Sequence, residues 1–594
     1  MNRPFGNSWH SESILMTSAE SRSELRAAIL ELKPFFRKAA FFSVFCTLLV
    51  LAPTGYMLEV YDRVINSRNS GTLLMLTLLV LWFYVVMELL EWARGGVMHQ
   101  AGQALDRKLR ERVFSAIFEA NLRRIPGGTS QALNDLRSIR EFLTTPALTA
   151  LMDAPVSLLF LILIYMISPL LGWIAVLAAL IQVLLTYLTE KNTQPPLVAA
   201  QKDAIAAQNY ANGTLRNAQV IEAMGMLRSI HQRWMSKQRS FLRLQAEASD
   251  HAGSNAALSK MLQTTLSAAL LGLGAWLSVR GELAGGAGMM IVAWVLGPRV
   301  LAPLVQVVSL WKSVVTARDA YQRLDKLLQA LPERQKGMPL PAPKGNLAVE
   351  GVVASAPGGQ VAIIRGVSFS LPAGQILAIV GPSASGKSTL ARLLVGIWPA
   401  ANGKVRLDGV DVHPWNKEEL GPHIGYLPQG IELFGGSLAE NIARFGEVDM
   451  AKVEAAARAV GLHEAILALP DAYETLIGDE GCFLSGGQRQ RVGLARAIYG
   501  NPRFVVLDEP NSSLDEAGEV ALVNTLLGLK AQGTTLIVIT HRTSVLAAAD
   551  LMLVLRDGQV QIAGPRDEVL AALHKAAAAP AAAPAAGLAA APAA

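Results

Sequence analysis

Gly381-Pro382-Ser383-Ala384-Ser385-Gly386-Lys387-Ser388-Thr389 is the stretch that decides the fold. A glycine-rich loop of this spacing lets successive backbone N–H groups point at one anion, and the helix that follows adds its positive N-terminal end. Lys387 is placed to reach the β- and γ-phosphates of a nucleotide, and the Ser388 hydroxyl to hold Mg²⁺. By itself the loop implies only nucleotide binding, so the segments that follow it carry the discrimination.

Downstream the chain reads Leu484-Ser485-Gly486-Gly487-Gln488 and then Val505-Val506-Leu507-Asp508-Glu509-Pro510. Phe504 to Leu507 is a continuous apolar run, which predicts a short buried strand ending on two adjacent carboxylates. That pair suits a division of labour: Asp508 positions Mg²⁺ while Glu509 polarises an attacking water. Two solvated acids before a turn proline would be the plainer explanation, but acids rarely end an apolar strand just after a Ser-Gly-Gly-Gln motif.

With those segments in that order, the C-terminal third resembles the nucleotide-binding domain of ABC transporters. The resemblance implies ATP and Mg²⁺ as cofactors, with Gly381 to Thr389 as the phosphate loop and Ser485, Gly486, Gly487 and Gln488 as the signature that meets ATP from a second subunit. It assigns Gln429, in Tyr426-Leu427-Pro428-Gln429, to the glutamine loop that senses Mg²⁺ and γ-phosphate. Asn511 to Asp515 matches the D-loop and Thr540-His541-Arg542 the switch histidine. Glu509 is then the expected general base, His541 and Gln429 its catalytic companions, and Ser388, Gln429 and Asp508 the metal set. One departure is that Val352-Val353-Ala354-Ser355-Ala356-Pro357 offers no aromatic ring where the family usually stacks one on adenine. Stacking is worth roughly 1–3 kcal/mol per base in nucleic-acid systems, so weaker nucleotide affinity is expected.

The remainder of the 594 residues is too apolar for a soluble ATPase, with 52% hydrophobic and 17% charged residues overall. Crossing a bilayer takes about 20 helical residues. Six stretches qualify, at 38–59, 72–93, 147–167, 169–189, 257–279 and 286–310, the third and fourth joined by a tight turn at Ser168-Pro169. Arg107, Lys108, Arg110, Arg112, Arg123 and Arg124 in one long connection, and Lys202, Arg216, Arg228, Arg233 and Lys237 in another, place both on the cytoplasmic side. Read as helices, these connections extend the spans well below the membrane, with coupling turns expected near Arg124 to Arg140 and Asn217 to Gly225. The fold class is therefore an α-helical membrane domain of six transmembrane helices, type I ABC exporter-like, fused to an α/β phosphate-loop ABC nucleotide-binding domain. Its expected divisions are a cytoplasmic segment at 1–36, the transmembrane domain at 37–330, a linker at 331–345, the nucleotide domain at 346–573 and a disordered Ala/Pro tail at 574–594. No cleavable leader is expected, Cys46 and Cys482 read as unpaired thiols, and the net charge of +6 makes no case for nucleic-acid binding.

The membrane half resembles a narrower group, the ATPases of type I protein secretion. The tracts that carry this are Tyr56 to Val64, Asp153-Ala154-Pro155 and Glu222 to Met226. The chain begins almost directly with its first span, so it looks like the metalloprotease, lipase and haem-carrier branch, which lacks a peptidase-like N-terminal domain. That resemblance implies a homodimer in the inner membrane of a Gram-negative cell, working with an inner-membrane adaptor and an outer-membrane tunnel on an unfolded polypeptide with a C-terminal signal. A lipid or multidrug exporter of the same architecture is the alternative, and a non-pumping ATP-binding membrane protein a more distant one. Asp153 and Arg299 would each cost about 2.5–3.5 kcal/mol at a bilayer centre, so they either line a polypeptide path or sit at an interface. Gly297, Pro298 and Pro303 mark either a hinge or a static kink in the last span.

Overall fold

The computed structural model describes residues 23–125, 130–283, 286, 288–333, 337–359, 361–478 and 484–578. Residues 1–22 of the N-terminal segment, 126–129 of the first coupling region, 334–336 of the linker, Cys482 and the Ala/Pro stretch from 579 onward lie outside the described residues. The chain divides into two compact units, Met1–Asn121 with Pro126–Glu333 and Leu122–Ile125 with Arg334–Ala594.

In the first unit, α1 (Glu24–Glu31) is followed by α2 (Lys33–Ser67), α3 (Ser70–Leu122), α4 (Gln131–Leu143), α5 (Pro146–Ile167), α6 (Pro169–Leu215), α7 (Ala218–Ala223), α8 (Leu227–Arg280), α9 (Gly288–Ser309) and α10 (Trp311–Ala330). Among the described residues six of these, α2, α3, α5, α6, α8 and α9, are long and apolar enough to cross a membrane. They contain the six stretches expected from the sequence. Only 6% of the apolar window of α3 is buried inside the protein, and Leu74, Trp82 and Leu180 are all more than half exposed. Apolar surface on that scale needs a lipid solvent. At 1.5 Å per residue, α3 and α8, with 53 and 54 residues, run for about 80 Å, far beyond a hydrocarbon core of about 30 Å. Glu222 to Met226 falls on the short α7 and the turn after it, where Val220 and Met224 are exposed.

Several polar groups inside this bundle find partners on other helices. Arg94, at the end of the second span and 8% exposed, donates from Nη1 to Asp153 Oδ1 at 3.0 Å and to Ser43 Oγ at 3.1 Å, joining α3, α5 and α2. Asp153 is therefore an ion-pair partner of a buried arginine. Arg299 is exposed. Pro298 has no N–H for the Trp294 carbonyl, and the Ser267 hydroxyl of α8 donates to that carbonyl at 3.2 Å. Gln263 Nε2 of α8 donates to Pro298 O at 2.9 Å, so the backbone around Pro298 is bonded by a neighbouring helix. The Tyr56 to Val64 tract ends in one π-helical turn, Val60–Val64. Part of the N-terminal segment is helical and held by ion pairs, Glu24 with Arg112 at 2.9 Å and Glu31 with Lys108.

The second unit contains twelve described strands: β1 (Leu347–Ser355), β2 (Ala362–Leu371), β3 (Ile376–Val380), β4 (Asn402–Leu407), β5 (Val410–Asp411), β6 (Ile424–Leu427), β7 (Gly436–Ser437), β8 (Leu476–Ile477), β9 (Phe504–Asp508), β10 (Thr535–Ile539), β11 (Leu551–Arg556) and β12 (Gln559–Pro565). Strands β2-β1-β4-β5 form an antiparallel sheet. The larger sheet runs β12-β11-β3-β10-β9-β6 and is parallel from β11 to β6. Strands β3, β9 and β10 read Ile-Leu-Ala-Ile-Val, Phe-Val-Val-Leu-Asp and Thr-Leu-Ile-Val-Ile, apolar on both faces because both sides of the sheet are covered, one of them partly by the antiparallel sheet.

Candidate functional site

Four motifs dispersed over 160 positions meet because β6, β9, β10 and β3 are neighbours running the same way. The C-terminal end of β3 leads into Gly381, that of β9 into Glu509, that of β10 into Thr540-His541, and that of β6 into Pro428-Gln429. Ile539 pairs with both Ile379 and Asp508, and Leu427 with Leu507, so the strand ends are in register. Ligands of open α/β sheets bind at this edge, and the two ends of each parallel strand are not equivalent.

The phosphate loop is shaped for an anion before one arrives. A Cβ on Gly381 would lie 2.1 Å from Leu555 O, so only glycine admits this approach of loop to strand. Helix α11 (Lys387–Leu394) begins at the end of the loop, aiming its N-terminal N–H groups back over it. Lys387, 8% exposed, folds over the loop and donates to Gly381 O at 2.8 Å and Pro382 O at 2.9 Å. Burial holds its ammonium below the ordinary lysine range, with the negative charge of Glu509 and Asp508 opposing that shift. Ser385 Oγ is buried with no hydrogen-bond partner among the described residues.

Asp508 and Glu509 sit side by side in unlike environments. Asp508 is 2% exposed and its Oδ1 has no hydrogen-bond partner among the described residues, while burial pushes its carboxyl above the usual carboxylate range against the pull of the Ser388 hydroxyl bonded to it. Glu509 takes the left-handed backbone conformation, φ +53°, that a non-glycine residue adopts only under constraint. Its N–H donates to Ile539 O at 2.9 Å, and its Oε2 accepts from Gln429 Nε2 at 3.0 Å. His541 is exposed two residues past the end of β10, and the Thr540 hydroxyl beside it donates to Asn511 Oδ1 at 3.2 Å.

Ser485 to Gln488 is placed differently. Ser485 caps α12 (Gly486–Ile498): its Oγ accepts from Gln488 N at 3.2 Å, while Gln488 Oε1 accepts from Ser485 N at 2.9 Å. None of these bonds reaches the phosphate loop. Gly487 packs on the D-loop so closely that a Cβ there would lie 2.9 Å from Ser513 O. Gln490, which sequence reasoning passed over, is 1% exposed and donates from Nε2 to Glu509 O at 3.0 Å while its Oε1 accepts from Ser513 N at 2.7 Å. Its signal was a glutamine in an otherwise buried helical register, Gln490, Leu494, Ala497. Over 352–357, Val352 and Ala354 are buried and Pro357 half-buried.

A helical unit with membrane-length spans on the same chain as this sheet edge defines an ATP-driven exporter. Residues 364–512 match the ABC transporter family model and residues 37–298 the ABC transporter transmembrane region. The chain is 40% identical over 558 residues, 94% of its length and 96% of the relative's, to the type I secretion system ATP-binding protein PrsD of Rhizobium meliloti (strain 1021). It is 27% identical to the leukotoxin translocation ATP-binding protein LktB of Mannheimia haemolytica, across 91% of this chain and 77% of that one. A bacterial Atm1-family ABC exporter solved with ATP bound shares the fold, with a TM-score of 0.79 at 23% identity over 93% of this chain and 99% of that one. The chain belongs to the ABC transporters, in the group of type I secretion ATP-binding proteins: a multi-pass membrane protein that binds ATP and couples its hydrolysis to transport.

Proposed function

We propose that this chain is the energising subunit of type I protein secretion, exporting an unfolded polypeptide with a C-terminal signal across the inner membrane of a Gram-negative cell. It acts as a homodimer, with each ATP held between the Gly381–Thr389 loop of one subunit and Ser485, Gly486 and Gly487 of the other. An inner-membrane adaptor and an outer-membrane tunnel complete the route. The observation that carries this reading is the 40% identity to PrsD across both halves of the chain.

At the site, Lys387 sets a positive charge over the loop, and phosphate oxygens relieve the burial cost it bears there. Asp508 Oδ1, without a hydrogen-bond partner among the described residues, and the Ser388 hydroxyl fit a divalent cation, with Gln429 as the third expected ligand. Mg²⁺, when bound, would neutralise charge developing on the transferred phosphoryl group. Glu509 is the general base that accepts a proton from the attacking water, and His541 positions it against the γ-phosphate. Gln429 occupies one Glu509 oxygen, so the glutamine loop and the base respond to nucleotide together. With no ring in 352–357, Pro357 or an apolar neighbour packs on adenine.

The test is cross-linking of the Glu509→Gln protein in its native membrane with ATP bound, followed by mass spectrometry of what co-purifies. An adaptor and a signal-bearing polypeptide are expected. Enrichment of lipid or small amphiphiles alone would overturn protein secretion and leave a lipid or drug exporter of the same fold.

A further inference from the structure

We infer that Gln490 is a positioning residue for ATP hydrolysis, holding the catalytic carboxylate and the D-loop to the helix that carries the signature motif. The inference rests on the assignment of Glu509 as general base. Gln490 uses both ends of its amide on different segments. Nε2 donates to the Glu509 carbonyl at 3.0 Å, and Oε1 accepts from the Ser513 N–H at 2.7 Å. Both partners lie in the tight turn after β9, where Glu509 stands at φ +53°.

A left-handed glutamate is a strained conformation that persists only when its surroundings over-determine it. Among the described residues the constraints are four hydrogen bonds, from Glu509 N to Ile539 O, from Gln490 Nε2 to Glu509 O, from Gln429 Nε2 to Glu509 Oε2 and, within the turn itself, from Ser512 N to Glu509 O at 3.2 Å. The first belongs to the sheet and the third to a loop that responds to nucleotide. The second, made by a side chain 1% exposed, is the fixed strut from α12. Because Ser485, Gly486 and Gly487 open that same helix, displacement of the signature at one end is transmitted to the base through Gln490 four residues on from Gly486.

A general base displaced by about 1 Å costs on the order of a hundredfold in rate, whereas nucleotide affinity is set by the phosphate loop. In full-length protein in lipid nanodiscs, Gln490→Leu should therefore lower kcat for ATP by about a hundredfold while the Kd of a fluorescent ATP analogue stays within error of the unsubstituted protein and the Tm falls by only a few degrees, for the two backbone groups left unpaired. Gln490→Glu keeps the acceptor for Ser513 N–H but loses the donor to Glu509 O, so it should lose kcat to a similar extent. An unchanged kcat in both variants overturns the inference, and so does a fall in kcat matched by loss of analogue binding and a larger fall in Tm, which would mark a merely structural residue. Glu509→Gln is measured in parallel: full turnover there removes the base assignment, independently of how the Gln490 variants behave.

Discussion

The nucleotide unit and the membrane unit place their polar chemistry in opposite ways. In the nucleotide unit, Lys387, Asp508, Glu509 and His541 stand at or just beyond strand ends, in short contiguous motifs. In the membrane unit, Arg94, Asp153, Gln182 and Ser267 are isolated on long apolar helices, and each makes a hydrogen bond to a different helix. Loops concentrate function because strand ends deliver backbone N–H groups and side chains to one edge. A helix in lipid satisfies its own backbone, so its polar side chains serve to join helices.

The largest effect that would break this contrast is at the sheet edge. Glu509→Gln should retain ATP binding and lower steady-state ATP hydrolysis by about a thousandfold, within the range for loss of a general base. Substantial turnover in that variant would remove the claim that the motif loops hold the chemistry.

The buried membrane pair comes next. Arg94→Leu leaves Asp153 unpaired in a low-dielectric setting, a loss of about 3–5 kcal/mol when one partner of a buried ion pair is removed. The double variant with Asp153→Leu should recover most of that loss, read as resistance to thermal inactivation in nanodiscs. Failure of the double variant to recover would show that Asp153 does more than pair with Arg94, reviving a role on the polypeptide path.

A smaller effect tests the cost of the active site itself. Asp508 is held above the usual carboxylate range, so in the nucleotide-free protein its charged form destabilises the fold. That penalty is fully present above its folded pKa and vanishes below the unfolded carboxylate value of about 3.9. Asp508→Asn should accordingly raise the nucleotide-free Tm of the nucleotide unit at neutral pH by about 2–4 °C, the shift expected for about 1 kcal/mol in a domain of this size. The gain should shrink as pH falls, and hydrolysis should be lost. A lower Tm at neutral pH would mean that Asp508 is a structural ion.

Smallest is the proline region of the last span. Ser267→Ala removes the donor to the Trp294 carbonyl and should cost about 0.6 kcal/mol, the average for interhelical hydrogen bonds in a bilayer. A large loss of transport without loss of stability would argue that the Pro298 region moves in the cycle.

The apolar runs were legible because bilayer thickness sets a length that composition can meet or miss, and the phosphate loop because its glycines and Lys387 have few other uses. Asp153 illustrates the limit: its cost was visible in the sequence, its partner 59 positions away was not. Gln490 was hidden for a related reason, since its partners, Glu509 O and Ser513 N, are backbone atoms that any residue would supply.

The sequence by itself determined six spans, a phosphate loop, two carboxylates at a strand end and membership of the exporter family, because each depends on local composition or on order along the chain. Only the tertiary structure decided that β6, β9, β10 and β3 lie side by side, that Gln429 and Gln490 converge on Glu509, and that Arg94 answers Asp153. Strand order and helix contacts are settled by packing over long separations, where the burial of whole faces outweighs any single residue's preference.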